Sequence, residues 1–337
     1  MKDFFRRSGY LIYYFLKLDF KKFRKFISYV SKTKGRTRIM ILADAISCVY
    51  KYNTGIMDYF VFKFYNIDDV ERLKYAGTGF MYEYQKLMNP MATRNILEDK
   101  IRFYSAYSGF VRHAICTIED LIENNEKADR VLGNKSGRIV IKDSLGQCGW
   151  NVEVLKSDRF SKPELLKYCR KRKFDLLEEF IVQHPELERL SETGLNTVRI
   201  ITQLNKKNEV EILGARLRIS LNNHVDNLAS GNIAAPVDLE TGKVSSAGVF
   251  SDITKEDVEI HPVTKTQILG FRVPFWKEVI RIAVEAAKVH PENRSIGWDI
   301  AITEEGPEFI EGNHNWCKIL WQIPVKTGMK PVLEKYI

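Results

Sequence analysis

Residues 296–316 read IGWDIAITEEGPEFIEGNHNW. Apolar runs flank the turn Glu304-Glu305-Gly306-Pro307, which predicts a hairpin of two strands, Gly297 to Thr303 and Glu308 to Glu311. Side chains two apart on a strand share a face, so Glu311 and Asn313 point together and the pairing strand can bring Asp299 beside them. Three oxygen donors from adjacent strands suit a hard cation such as Mg²⁺, held jointly with substrate phosphates. A hairpin with an acidic edge and no ligand fits the same letters.

Further back, FDLLEEFIVQH (residues 174–184) is an apolar strand ending in Glu178, Glu179, Phe180 and Ile181. Such a linker can offer backbone groups to an adenine edge; it also reads as a plain buried strand. GRIVIKDSLGQCGW (residues 137–150) sets Lys142 at the end of an apolar strand. Gly146 and Gly149 follow in a loop whose backbone could approach an anion, with an ordinary hairpin turn as the alternative. Neither a Walker loop nor a Rossmann fingerprint is present.

Between these landmarks the patterning predicts helices over Arg94 to Ser108, Pro163 to Arg172 and Pro274 to Val289, and strands over Thr197 to Leu204 and Val210 to Ile219. Hairpins mixed with helices favour α+β over a doubly wound parallel sheet. Three regions emerge: a mostly helical one over 1–90, a second over 91–181 and a third over 182–337.

The 337 residues carry a net charge of +9, and the surplus is local. Residues 1–38 hold twelve basic and two acidic side chains, a net +10, and the other 299 a net −1. Ten aromatic residues interleave with those charges. A basic, aromatic, helical stretch suits an anionic membrane surface. It equally suits helices that pack their rings on the body. Nucleic acid is not expected, because the body adds no basic surplus. A cleaved signal peptide is not expected either, since Lys17 and Asp19 interrupt the apolar run that starts at Tyr10. Five scattered cysteines without a CxxC give neither a disulfide framework nor a zinc site and suit a reducing compartment.

The lysine strand with its glycine loop, the Glu-Glu-Phe-Ile linker and the Asp…Glu-x-Asn hairpin, in that order, resemble the ATP-grasp superfamily. The phrases GLNTVRIITQL, GARLRIS, NHVDNLASGNIAAPVDLETGKV and HPVTKTQ narrow the likeness to its sugar-transfer-associated group, over roughly residues 55–330. The resemblance implies an ATP-grasp fold, two α+β subdomains gripping ATP, after a helical basic N-terminal region. It implies that Lys100 and Lys142 reach the ATP phosphates, with Ser144, Gly146 and Gly149 as a phosphate lid. Glu178, Glu179 and Ile181 match an adenine linker, and His184 and Glu186 the ribose side. Asp299, Glu311 and Asn313 match Mg²⁺ ligands. Arg199 and Arg218 match catalytic arginines of glutamate-ligase-like relatives, and Asn227 and Gly231 an acceptor loop. This loop departs from the family in reading Gly231-Asn232, and Asp143 stands where many members have proline.

The activity so implied is an ATP- and Mg²⁺-dependent carboxylate–amine ligase that forms an amide through an acyl phosphate. Its small-molecule carboxylate and amine would be sugar-linked, on a cell-surface polysaccharide precursor at the cytoplasmic face of the membrane. The alternative is a kinase-type phosphotransferase or a nucleotide-binding scaffold.

Overall fold

Antiparallel pairing organises both sheets of the computed structural model, which describes residues 2–146, 151–191, 194–221 and 228–337. The smaller sheet contains β1 (Ile115–Thr117), β2 (Arg138–Lys142), β3 (Val152–Lys156) and β4 (Leu176–Glu179), in the order β1-β4-β2-β3. Ile139, Ile141 and Leu177 bury one face against helices that supply Val131, Leu165 and Cys169. The larger sheet has the order β7-β6-β5-β8-β9, from β5 (Thr197–Leu204), β6 (Val210–Ile219), β7 (Ile233–Val237), β8 (Ser295–Thr303) and β9 (Gly306–Asn313). Its central strands are covered on both faces, which explains why they read as continuous apolar runs rather than as alternation. Val198, Ile200, Trp298 and Ile300 pack with the helix Trp276–Ala286, whose buried residues Trp276, Val279, Ile282, Ala283 and Ala286 form one stripe.

Three helices lead the chain: α1 (Lys2–Leu16), α2 (Phe20–Lys34) and α3 (Arg38–Tyr52). The side chains of Asp19 and Thr37 cap α2 and α3 by accepting from backbone amides in the first turn. Phe26, Val30, Ile41, Ala45, Tyr59 and Phe60 share a core that reaches Ile253, Ile319 and Ile323 of the body. None of the described helices is long and apolar enough to cross a membrane.

Where the structure departs from the sequence reading, local chemistry explains it. The expected helix over 94–108 is broken at Asp99, which is extended (φ −113°, ψ 118°) and caps a new helix, α4 (Lys100–Ala106), by accepting from the amides of Ile101 and Arg102. Strand β4 stops at Glu179, short of Ile181. Gly306 and Pro307, expected in the turn, pair within β9 opposite Thr303 and Ile302. Strands β1 and β7 were not expected. The latter carries Pro236, which a strand tolerates at a sheet edge, and β7 is an edge.

Candidate functional site

One rung of the larger sheet gathers charged side chains. Register places Arg216 opposite Arg199, Arg199 opposite Asp299, and Asp299 opposite Glu311. Arg218 shares the face of Arg216, two residues along β6. Arg199 grips both carboxylate oxygens of Asp299, through Nε and, at 2.7 Å, through Nη2. Arg218 Nη1 donates to Asp299 Oδ2 at 2.5 Å. Gly297 leaves room for this packing, since a β-carbon there would meet Trp316 Cβ at 2.6 Å and Arg199 Cδ at 3.2 Å. Asn313 donates its amide to Glu311 Oε1 at 3.1 Å, and its own Oδ1 accepts no hydrogen bond from the described residues.

Burial works against an ionised Asp299, but Arg199 and Arg218 outweigh it and hold the carboxyl well below the usual range. The neighbouring Glu311 goes the other way: burial first, then the adjacent Asp299 charge, push it up. Two carboxyl groups thus sit side by side with opposite shifts, Asp299 against two guanidinium groups and Glu311 on the cavity wall. Glu311 and Asn313 supply hard oxygens there. Asp299 is committed to guanidinium groups, and among the described residues no three His, Cys, Asp or Glu side chains gather as a metal cluster.

A cavity of about 250 Å³ opens on this rung. Of the residues singled out from the sequence, Lys100, Gly146, Arg199, Arg218, Glu311 and Asn313 line it. Lys100 enters from the first turn of α4, and its ammonium donates to the carbonyls of Ser144, at 3.4 Å, and Gly146. Burial, then the nearby Lys142 charge, lower its pKa against the pull of Glu311.

The other expected residues lie apart from the cavity lining. Lys142 is buried, with Nζ 2.5 Å from Glu178 Oε1. Ser144 is tied to Asp175, donating its hydroxyl at 2.6 Å. Glu179 accepts from the Ala114 amide at 3.1 Å. Ile181 is half-buried beyond the end of β4. His184 Nδ1 accepts from the Glu186 amide at 3.2 Å, and Glu186 itself is exposed beside Arg189. Gly231 takes φ +93° at the turn into β7, a conformation that favours glycine. Gly149 and Asn227 fall outside the described residues.

The structure adds groups that the sequence did not single out. His113 Nδ1 lies 2.7 Å from Glu308 Oε2, and His113 Nε2 lies 3.9 Å from Glu178, so a buried chain of polar groups links the two sheets. No spacing signalled it, because the partners are far apart in the chain. His314, next to Asn313 in the chain, lines the cavity with Nε2 3.1 Å from Glu98. Lys22 of α2 also lines it, and in the sequence it was one of twelve charges in a run.

Solved structures with a similar fold include an L-amino acid ligase from Bacillus licheniformis, at 17% identity over 73% of this chain and 49% of that one, with a TM-score of 0.44. Another is the ADP complex of N5-carboxyaminoimidazole synthetase from Staphylococcus aureus, at 7% identity over 70% and 52%, with a TM-score of 0.41. A third is a RimK domain ATP-grasp protein from Sphaerobacter thermophilus, at 11% identity over 73% and 70%, with a TM-score of 0.40. The chain spans about half the length of the first two. No curated protein matches it in sequence. The family model described as sugar-transfer associated ATP-grasp matches residues 80–336, and the chain belongs to that family.

Proposed function

We propose that the chain is an ATP-dependent carboxylate–amine ligase acting on a sugar-linked precursor of a cell-surface polysaccharide. The observation that carries this reading is the rung Arg199–Asp299–Glu311 with Arg218, opening on a cavity that Lys100 also lines. A site for phosphoryl transfer needs fixed positive charge around oxygens that gain negative charge. Asp299 holds two guanidinium groups in place beforehand, so no reorganisation is needed during the reaction.

In this reading Lys100 and Lys142 serve the ATP phosphates, with Ser144, Gly146 and Gly149 closing over them. Glu178, Glu179 and Ile181 serve the adenine, His184 and Glu186 the ribose, and Asn227 and Gly231 the acceptor. Glu311 and Asn313, with Asp299 behind them, fit Mg²⁺, which takes a few carboxylate or carbonyl oxygens alongside substrate phosphate. The ion would neutralise charge on the transferred phosphoryl group. A substrate carboxylate oxygen bonds to the γ-phosphorus as the bond to ADP breaks. An amine nitrogen then bonds to the acyl carbon, phosphate leaves with the C–O electron pair, and the nitrogen loses a proton. Arg199 and Arg218 stabilise the oxyanions by charge-assisted hydrogen bonds. An acyl phosphate exposed to water would hydrolyse, so the cavity also serves to exclude it.

The face of α1 supports a position on an anionic membrane. Phe5, Ile12 and Leu16 share one side of that helix and are 68%, 63% and 78% exposed. Exposed Lys17 and Lys21 follow at once. Aromatic and aliphatic side chains beside lysines suit insertion at the headgroup boundary.

The test is a screen of carboxylates and amines for release of ADP and inorganic phosphate. The ligase reading expects release only when both are present. Accumulation of a phosphorylated sugar would instead establish the kinase-type alternative, and no turnover with any pair would leave the scaffold.

A further inference from the structure

The cavity has one wall that the family model does not cover. Lys22 lies in α2, well before residue 80, where the family match begins, yet it lines the same cavity as Lys100, Arg199, Arg218 and Glu311. Its backbone is held firmly. The Lys22 amide donates to its capping residue Asp19 at 3.0 Å. One turn on, Lys25 meets Asp252 of the body at 2.5 Å, while Phe26, Ile27 and Val30 are buried. Ser251, beside Asp252, lines the cavity too.

The contrast between the two lysines decides the matter. Lys25 has its carboxylate. The Lys22 ammonium makes no ion pair or hydrogen bond with the described residues, and its recorded neighbour is the Phe26 ring, 5.5 Å away. The carboxylates lining the cavity are engaged elsewhere: Glu98 with Arg94 and His314, Glu311 with Asn313. A half-buried lysine that lines a shared cavity and has no counter-charge can accept an anion there.

We propose that Lys22 binds an anionic group, a carboxylate or a phosphate, on the substrate that shares the cavity with ATP. The N-terminal helices then set what this ATP-grasp site accepts. The inference rests on the ligase reading for the meaning of the anion, but its test does not require turnover.

The full chain, saturated with Mg²⁺ and a non-hydrolysable ATP analogue, is titrated by calorimetry with inorganic phosphate and, separately, with malonate. Wild type is expected to bind at least one of them, and which one it binds identifies the anion. Lys22→Ala and Lys22→Gln should weaken that binding about tenfold or more, the loss of one charge-assisted contact, while Lys22→Arg retains it. Affinity for the ATP analogue should stay the same in all variants. Equal anion binding by wild type and Lys22→Ala would overturn the proposal, as would absence of binding to wild type. A parallel fall in analogue affinity would assign Lys22 to the nucleotide and overturn it as well.

Discussion

Between the two sheets, Lys142 meets Glu178 at 2.5 Å and His113 meets Glu308 at 2.7 Å, while on the larger sheet Asp299 faces two guanidinium groups and a second carboxyl group. Both clusters are buried, and they are closed differently. In the first, each charge has a partner, and Glu308 also accepts from the amides of Arg112 and His113 at 2.9 Å. In the second, Arg199, Arg218 and Glu311 line a cavity, so the cluster is open on one side. Buried pairs that satisfy one another hold elements in register and add little net stability over apolar packing. Buried charged groups that line a cavity are candidates for contact with a ligand.

The contrast is broken most directly by removing the acidic member of each cluster. Asp299→Asn and Glu178→Gln should each lower unfolding free energy by about 3–5 kcal/mol, because each takes a carboxylate away from buried cations. Added inorganic phosphate should recover part of the loss in Asp299→Asn, whose arginines line the cavity, and less in Glu178→Gln, whose Lys142 lies apart from that lining. Urea unfolding of both variants with and without phosphate measures this. Equal recovery in the two would erase the distinction between a sealed cluster and an open one.

Arg218→Ala tests the open cluster alone. Asp299 keeps Arg199, so the loss of stability should be smaller than in Asp299→Asn. Turnover, followed as ADP release, should fall about 10²–10³-fold, roughly 2.7–4 kcal/mol, as when one preorganised donor to a developing oxyanion is removed. Retained turnover would reduce Arg218 to a structural partner of Asp299.

The sealed cluster should show itself in acid. Burial opposes ionisation of Glu178, but Lys142 and His113 outweigh it and hold the carboxyl below its usual range. A depressed carboxyl contributes stability above the ordinary glutamate value, near pH 4.3, and loses it as pH falls toward the depressed one. The stability gap between wild type and Glu178→Gln should therefore close below about pH 4, by about 1.4 kcal/mol for each unit of depression. A gap that persists at lower pH would mean that packing, not charge, separates them.

What was legible in the sequence follows from the range of the interactions. Strands β5 and β6 were read with their observed bounds, and β2 with its observed end at Lys142, because apolar and β-branched runs act locally. The pairing of Asp299 with Glu311 was legible because one short turn joins their strands. The commitment of Asp299 to Arg199 and Arg218 was not, since it depends on the order of strands across the sheet. The link from His113 to Glu308 and the entry of Lys22 into the cavity were illegible for the same reason. Asp99 was a different failure: its capping oxygen outcompeted helix continuation, a signal present in the letters and outweighed there by periodicity.

The N-terminal helices extend the same contrast to the surface, where Lys25 is neutralised by Asp252 and the lysines beside the apolar stripe of α1 are exposed to solvent. A basic residue near an anionic bilayer contributes about 1 kcal/mol, so Lys17→Ala should weaken co-sedimentation with phosphatidylserine vesicles about fivefold. The effect should shrink at high salt as screening shortens the reach of the charge. Ile12→Ser should weaken binding at both salt concentrations, because apolar insertion is not screened. If Lys17→Ala and wild type sediment equally at low salt, the exposed stripe of α1 is a face for a protein partner rather than for lipid.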